Sequence, residues 1–200
     1  MLTWIEAHPN LASWLQAIGA IIAIAIAIWV PYLQRRQALE AMKAAELDQV
    51  RHVLRNLLDE MIVITSGFKE GNGKKLMEVI DGQPFDVIIP IMEQPFPIFD
   101  AAATKLGLIQ SDELRRHIIN AYGRANGFIS SVRLNNALVD RFDEAAYLRA
   151  VHNDDVHERL FLARQQRLVE YARALKKNYI EATEKMLAMR TAIEHELGIA

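Results

Sequence analysis

Apolar residues follow two different patterns along this chain. Between Leu11 and Tyr32 they are nearly continuous, and no Asp, Glu, Lys or Arg occurs between Glu6 and Arg35. After Gln34 they recur every three or four residues among polar ones, which is the period of an amphipathic helix. The two patterns predict an all-α protein, in which an N-terminal transmembrane helix continues into an antiparallel bundle of long helices.

The continuous stretch is long enough to cross a bilayer. A helix rises about 1.5 Å per residue, so roughly 20 apolar residues cross a hydrocarbon core of about 30 Å. The Ile-Ala alternation from Ile22 to Ile28 also resembles a buried strand. A lone strand cannot satisfy its backbone groups in lipid, however, and the run is too long for a soluble strand.

A cleaved signal peptide is a further interpretation of this stretch. Such a peptide has a basic segment before its apolar run, whereas the segment before Leu11 carries Glu6 and His8 and no Lys or Arg. Small residues that resemble a cleavage site, Ala23, Ala25 and Ala27, keep this alternative open.

Aromatic and basic residues mark the predicted membrane boundaries. Trp14 lies near one end of the span, and Trp29 and Tyr32 lie near the other, where rings favour the headgroup region. Arg35 and Arg36 follow closely, and nothing basic precedes the span. The positive-inside rule then predicts an outer N-terminus and a cytoplasmic C-terminal part. The predicted segments are an outer leader, a transmembrane helix, a helical stalk and a cytoplasmic bundle, at residues 1–10, 11–33, 34–46 and 47–200.

One face of the predicted span carries small residues. Gly19, Ala23 and Ala27 are spaced four apart, with Gln16 and Ala20 nearby. Small residues at this spacing let two helices approach closely in lipid, and Gln16 can add a hydrogen bond between them. This face predicts contact with a second copy or with another membrane protein.

The residues between the span and Gly107 predict three helices and an irregular connection. A heptad seam from Leu47 to Phe68 predicts a bundle helix over Gln34–Phe68. Gly71–Gly73 is expected to break it. Short helices are predicted at Lys74–Asp81, ending at Gly82, and at Phe99–Leu106, ending at Gly107. Four prolines among apolar residues predict an irregular segment packed over the bundle at Gln83–Asp100; a partner-binding surface is the alternative there.

Two long helices are expected in the second half of the chain. Ser111 caps the first, which starts at Asp112. The turn that ends it is predicted within Asn135–Asn153, with a short helix around Asp143–Val151.

The last helix is predicted to begin at Asn153 or Asp154 and to end at Leu197, before Gly198. Its length matches the Gln34–Phe68 helix laid antiparallel. On the preceding helix, Gly123 and Gly127 predict close packing against a neighbour, because each glycine costs about 1 kcal/mol relative to alanine.

The composition of the chain limits the classes of partner and of catalytic group that it can use. The 200 residues are 52% hydrophobic and 24% charged, with a formal net charge of -2, so no nucleic-acid partner is expected. The chain has no cysteine, which excludes a thiol nucleophile and agrees with a cytoplasmic location. No motif predicts a cofactor or a catalytic residue.

Histidines and carboxylates cluster near the start of the last helix. His152, His157 and Glu158 are of ligand-forming types, but the two histidines are five residues apart and would not share a helix face. The same row fits polar helix capping. A metal site here is therefore the minor interpretation.

Two segments resemble known proteins. The segment from Trp14 to Ala20, with the apolar run and the arginine pair after it, resembles the N-terminal anchor of small bacterial and prophage-borne membrane proteins. The segment from Ile98 to Ile109, followed by a helix with Tyr122, is similar to one in uncharacterised proteins of that kind. The resemblance implies a single-pass protein of a bacterial inner membrane and implies no activity.

Three functions follow, in order of preference. The first is a membrane-anchored helical protein that acts by interaction or oligomerisation, without catalysis. The second is a membrane-perturbing effector of the phage-defence or toxin type. The third is a metal-dependent enzyme using His152, His157 and Glu158.

Overall fold

The computed structural model describes the backbone from Pro9 to Ile199; residues 1–8 and 200 are outside it, as are the side chains of residues 9–13 and 15. No strand occurs between residues 9 and 199, which confirms the all-α class. In chain order the elements are α1 (Pro9–Phe68), a π-helical turn (Lys69–Gly73), α2 (Lys74–Glu78), α3 (Pro97–Ala102), a 3-10 helix (Ala103–Leu108), α4 (Asp112–His152) and α5 (Asp155–Leu197).

The chain divides into two compact units, at Gln49 and Val50. The described part of the first unit is the portion of α1 up to Gln49, and by length and composition this helix is apolar enough to cross a membrane. The helix already includes Pro9 and Asn10, which were predicted as leader; the rest of the leader lies outside the described residues. It also continues through Pro31, where a kink or an exit was predicted.

The second unit is built on α4 and α5, which pack side by side over most of their length. Two buried clusters form its core. One joins α1, α3, α4 and the end of α5 around Leu57, Tyr122 and Met189. The other joins the irregular connection to α4 and α5 around Phe85, Val132 and Leu175. The last helix was predicted to lie against Gln34–Phe68, but its most extensive partner is α4.

The termini of the two long helices confirm the sequence signals. Ser111 accepts a hydrogen bond from the N–H of Leu114 at the start of α4, and the side chain of Asp154 accepts from two N–H groups at the start of α5. Gly198 ends α5 with φ +69°, in the left-handed region that glycine favours.

Four local predictions were wrong. α4 continues unbroken to His152, so no separate short helix occurs around residues 143–151, because burial of Asn135, Val139 and Ala145 against the bundle continues the helical stripe. The turn itself falls at Asn153, the last residue of the predicted range. The glycines at 71–73 do not break the helix; a π-helical turn carries it into α2, which ends at Glu78 rather than at Asp81. The 3-10 helix passes through Gly107 to Leu108.

The prediction for the two glycines of α4 was also wrong. Gly123 and Gly127 are exposed, and a Cβ atom added at either would meet nothing within 4 Å. No neighbouring element therefore requires a glycine at these positions.

Candidate functional site

The small-residue face of α1 lies open in the described chain. Gln16, Gly19, Ala20, Ala23 and Ala27 are all exposed. A Cβ atom added at Gly19 would meet nothing within 4 Å, so this part of the helix has room for a neighbouring helix.

The backbone near the end of this face lacks one helical N–H donor, at Pro31. Proline has no N–H group, so Pro31 cannot donate to the carbonyl of Ala27 within the helix. An unpaired carbonyl in lipid is costly. This acceptor favours either a partner group or the edge of the headgroup region at this depth.

The boundary residues are spaced for a bilayer. Trp14, Trp29 and Tyr32 are 69%, 63% and 64% exposed. The 18 positions from Trp14 to Tyr32 span about 27 Å along a helix, close to the hydrocarbon thickness. Arg35 and Arg36 follow on the same helix, and the Arg36 guanidinium pairs with the carboxylate of Glu40 at 3.1 Å.

The turn between α4 and α5 holds the candidate metal ligands. Asn153 adopts the left-handed conformation, with φ 47°, and the rings of His152 and His157 stack with their centroids 4.5 Å apart. Stacked rings do not direct their nitrogen lone pairs at a common point. Glu158 pairs with Arg149, and Arg149 lies 4.5 Å from the centroid of the Phe161 ring.

Asp154 organises this turn. Its Oδ1 accepts from the N–H groups of Val156 and His157 and lies 2.8 Å from Nδ1 of His157. Hydrogen bonds from the backbone and the ring of His157 lower the pKa of its carboxyl below the usual value. No group of three histidines or carboxylates within the described residues could hold a metal ion, whereas the predicted capping role is confirmed.

Sequence patterns did not indicate that the core contains a buried carboxylate. Glu60 is only 5% exposed, and its carboxylate accepts hydrogen bonds from the N–H groups of Ile98 and Phe99 at 2.7 and 3.1 Å. These N–H groups belong to the first turn of α3, which has no acceptor of its own at Phe96. Glu60 therefore serves α3 as a capping side chain, supplied from α1.

The third partner of Glu60 is Tyr122 on α4. The phenol donates to the carboxylate at 2.8 Å, and the Tyr122 ring stacks on Phe99 with centroids 3.9 Å apart. Burial raises the pKa of the Tyr122 phenol far above its usual value, and the hydrogen bond and charge of Glu60 raise it further. The phenol therefore stays protonated and donates its hydrogen bond to Glu60. The Glu60–Tyr122 pair links α1, α3 and α4, and each of its polar groups has a hydrogen-bond partner.

Two asparagines of α4 hold the irregular connection. The side-chain amide of Asn136 donates to the carbonyl of Ile89 at 2.7 Å and accepts from its N–H at 3.0 Å. Asn135 donates to the carbonyls of Phe85 and Val87 at 3.3 and 3.4 Å. Phe85, Ile89 and Phe96 are buried, which confirms that this segment packs over the bundle.

A cleft of about 360 Å³ opens between α1, α4 and α5. The rings of Phe68, Phe128 and Tyr179 meet at one end, with centroids 5.1 to 5.4 Å apart. Lys69, the first residue of the π-helical turn, and Arg190 of α5 also line it. π-Helical turns are rare and are found frequently at functional sites.

The π-helical turn fits closely against α5. A Cβ atom added at Gly73 would lie 2.6 Å from the hydroxyl of Tyr179 and 2.9 Å from the carbonyl oxygen of Phe68. Only glycine lets the turn approach this ring. The same contact fixes one wall of the cleft.

No family model, curated protein or solved structure matches this chain. The resemblance to bacterial and prophage-borne membrane proteins therefore stays a prediction, and function is argued from the geometry alone.

Proposed function

We propose that this chain is a single-pass protein of a bacterial inner membrane that acts by association rather than by catalysis. Residues 11–33 form the span, the N-terminus lies outside, and the body after residue 46 lies in the cytoplasm. The partner is a second copy or another membrane protein. The observation that carries the proposal is the apolar segment of α1, none of which is buried in the described chain.

The membrane location follows from the cost of exposing this surface to water. Ile21, Ile24 and Ile28 are 66%, 60% and 68% exposed. Soluble monomers rarely expose apolar patches larger than a few hundred Å². Lipid contact on most sides, with helix contact along the small-residue face, covers all of this surface.

Location and orientation are testable because the chain has no cysteine of its own. Single cysteines at Thr3→Cys and Glu184→Cys are treated with a membrane-impermeant maleimide in spheroplasts. We expect labelling at Thr3→Cys in intact spheroplasts and at Glu184→Cys only after permeabilisation. Reversed labelling would contradict the orientation, and a full-length product left in the supernatant after high-speed centrifugation would contradict the anchor.

Association is tested by introducing the same alanine-to-isoleucine substitution on two different faces of α1. Ala23→Ile lies on the small-residue face, and Ala25→Ile adds the same atoms about 200° around the helix. Crosslinking in native membranes should show a strong loss of dimer or heteromer for Ala23→Ile, and for Gly19→Ile with Ala23→Ile, but little change for Ala25→Ile. Equal crosslinking in all variants would refute this interface while leaving the anchor intact.

A further inference from the structure

The cleft between α1, α4 and α5 is lined along much of its length by residues of α5. Tyr179 lies at its aromatic end and Arg190 further along the same helix. The 11 positions between them correspond to about 16 Å along α5. The volume of about 360 Å³ lies in the range of small-molecule sites, about 300–1,000 Å³, and gives room for a ligand such as a single alkyl chain.

Each of the three aliphatic hydroxyl groups in the lining donates to a carbonyl of its own helix; the fourth hydroxyl is the Tyr179 phenol at the aromatic end. Thr65 donates to the carbonyl of Met61 at 2.6 Å, and Ser66 donates to the carbonyl of Ile62 at 2.7 Å. Thr183 donates to its own helix in the same way, at 2.8 Å. The remaining interior surface is aromatic or aliphatic, so the body of a ligand that fits here is apolar.

The charges of the lining are of one sign. The residues that line the cleft include Lys69 and Arg190 and no Asp or Glu. Arg190 already donates to the carboxylate of Glu194 at 2.7 Å. Lys69 has no ion pair among the side chains that the structure describes, so its ammonium group is available to an anion at the aromatic end.

We propose that this cleft binds a free fatty acid of medium chain length, with the alkyl chain between the helices and the carboxylate at Lys69. Lys69 offers a point charge to the carboxylate, whereas Arg190, the other cation of the lining, is already paired with Glu194. The site is independent of the membrane contact proposed above.

The test uses radiolabelled laurate and the full chain in nanodiscs of phosphatidylcholine. Retention is measured by equilibrium dialysis against empty nanodiscs, which correct for laurate dissolved in the lipid. We expect saturable binding to the loaded nanodiscs and weaker binding of dodecanol, which lacks the charge. Retention equal to that of empty discs, equal affinity for dodecanol, or displacement by phosphatidylglycerol in the disc would overturn the proposal.

Matched variants locate the site. Ser66→Phe fills the cleft from an exposed position, and Ser130→Phe places the same ring on the exposed face of α4 outside the cleft. The two serines make the same type of bond to their own helix. Ser66→Phe should abolish saturable binding and Ser130→Phe should leave it unchanged; equal effects would refute this location. Thermal melting by circular dichroism checks that both variants fold.

The head group is located in the same way. Lys69→Gln should weaken laurate binding up to about fivefold, as for a solvent-accessible ion pair, and should not affect dodecanol. Lys185→Gln, an exposed lysine of α5 outside the cleft, should have no effect. A larger loss for Arg190→Gln than for Lys69→Gln would contradict the placement of the carboxylate.

Discussion

Ile24 and Leu57 are apolar residues of the same helix, yet Ile24 is 60% exposed and Leu57 is fully buried. The difference lies in the neighbours along the chain. Around Ile24 the apolar residues cover every side of the helix, so no polar face remains to meet water. Around Leu57 they form a stripe, and α3, α4 and α5 cover it. One helix thus carries a surface suited to lipid and a surface suited to a protein core.

The same contrast applies to polar groups. Glu40, before the division between the units, makes an exposed ion pair with Arg36 within one helix. Glu60, after the division, is buried and joins two segments far apart in sequence. The Arg36–Glu40 pair is local and replaceable by water, whereas the contacts of Glu60 are part of the tertiary structure.

The largest expected effect on stability comes from substitutions that compare the two apolar surfaces of α1. Leu57→Ala should lower the free energy of unfolding of the body by about 2–5 kcal/mol, because a cavity remains in the core. Ile24→Ala should leave it nearly unchanged. Denaturant unfolding followed by circular dichroism in detergent micelles measures both. A comparable loss for Ile24→Ala would contradict the contrast, since it would mean that Ile24 is covered by protein.

Glu60→Ala should cost about 3 kcal/mol, because it leaves two backbone N–H groups of α3 without an acceptor and removes the nearer acceptor of the buried Tyr122 hydroxyl. Glu60→Gln retains one acceptor oxygen and should cost less. The matched change Glu40→Ala removes an exposed pair and should cost about 0–1 kcal/mol. The same unfolding assay applies; equal losses at positions 40 and 60 would show that the carboxylate is not a structural cap.

The glycines provide a smaller test. Gly73→Ala should destabilise the body by about 1–3 kcal/mol, because the added methyl group overlaps the Tyr179 hydroxyl and the carbonyl of Phe68. Gly123→Ala should stabilise α4 by up to about 1 kcal/mol, since its position is open. Gly19→Ala should leave the body unchanged. Thermal melting of the three variants ranks them; a loss at Gly123 would reveal a neighbour at that face.

The smallest expected effect concerns Asp154 at the α4–α5 turn. Its pKa is lowered in the folded state, so its stabilising effect is present above the unfolded pKa and is lost as the pH falls through the folded value. Asn is an equally good cap without the charge. The melting temperature should therefore fall more between about pH 6 and about pH 3 for the wild type than for Asp154→Asn, spanning the usual Asp pKa. Identical pH profiles would refute the charge dependence.

The sequence alone determined the features that depend on a few neighbouring residues. The apolar run of α1, the helix caps at Ser111, Asp154 and Gly198, and the periodic stripes of the long helices were predicted because each is encoded within a turn or two of chain. The length of α4 was not predicted, since its apolar stripe thins after Val132 and burial of Asn135, Val139 and Ala145 continues it.

Tertiary structure decided the rest. Glu60 and Tyr122 are 62 residues apart, and Asn136 and Ile89 are 47 apart, so nothing in the local pattern relates them. The cleft is formed by residues from three helices and needs the π-helical turn and Gly73 to set its wall. Gly123 has open space beside it, whereas Gly73 is in tight contact with its neighbours. The residue type is the same at both positions, so the difference comes from the elements that pack against each glycine and not from its place in a helical pattern.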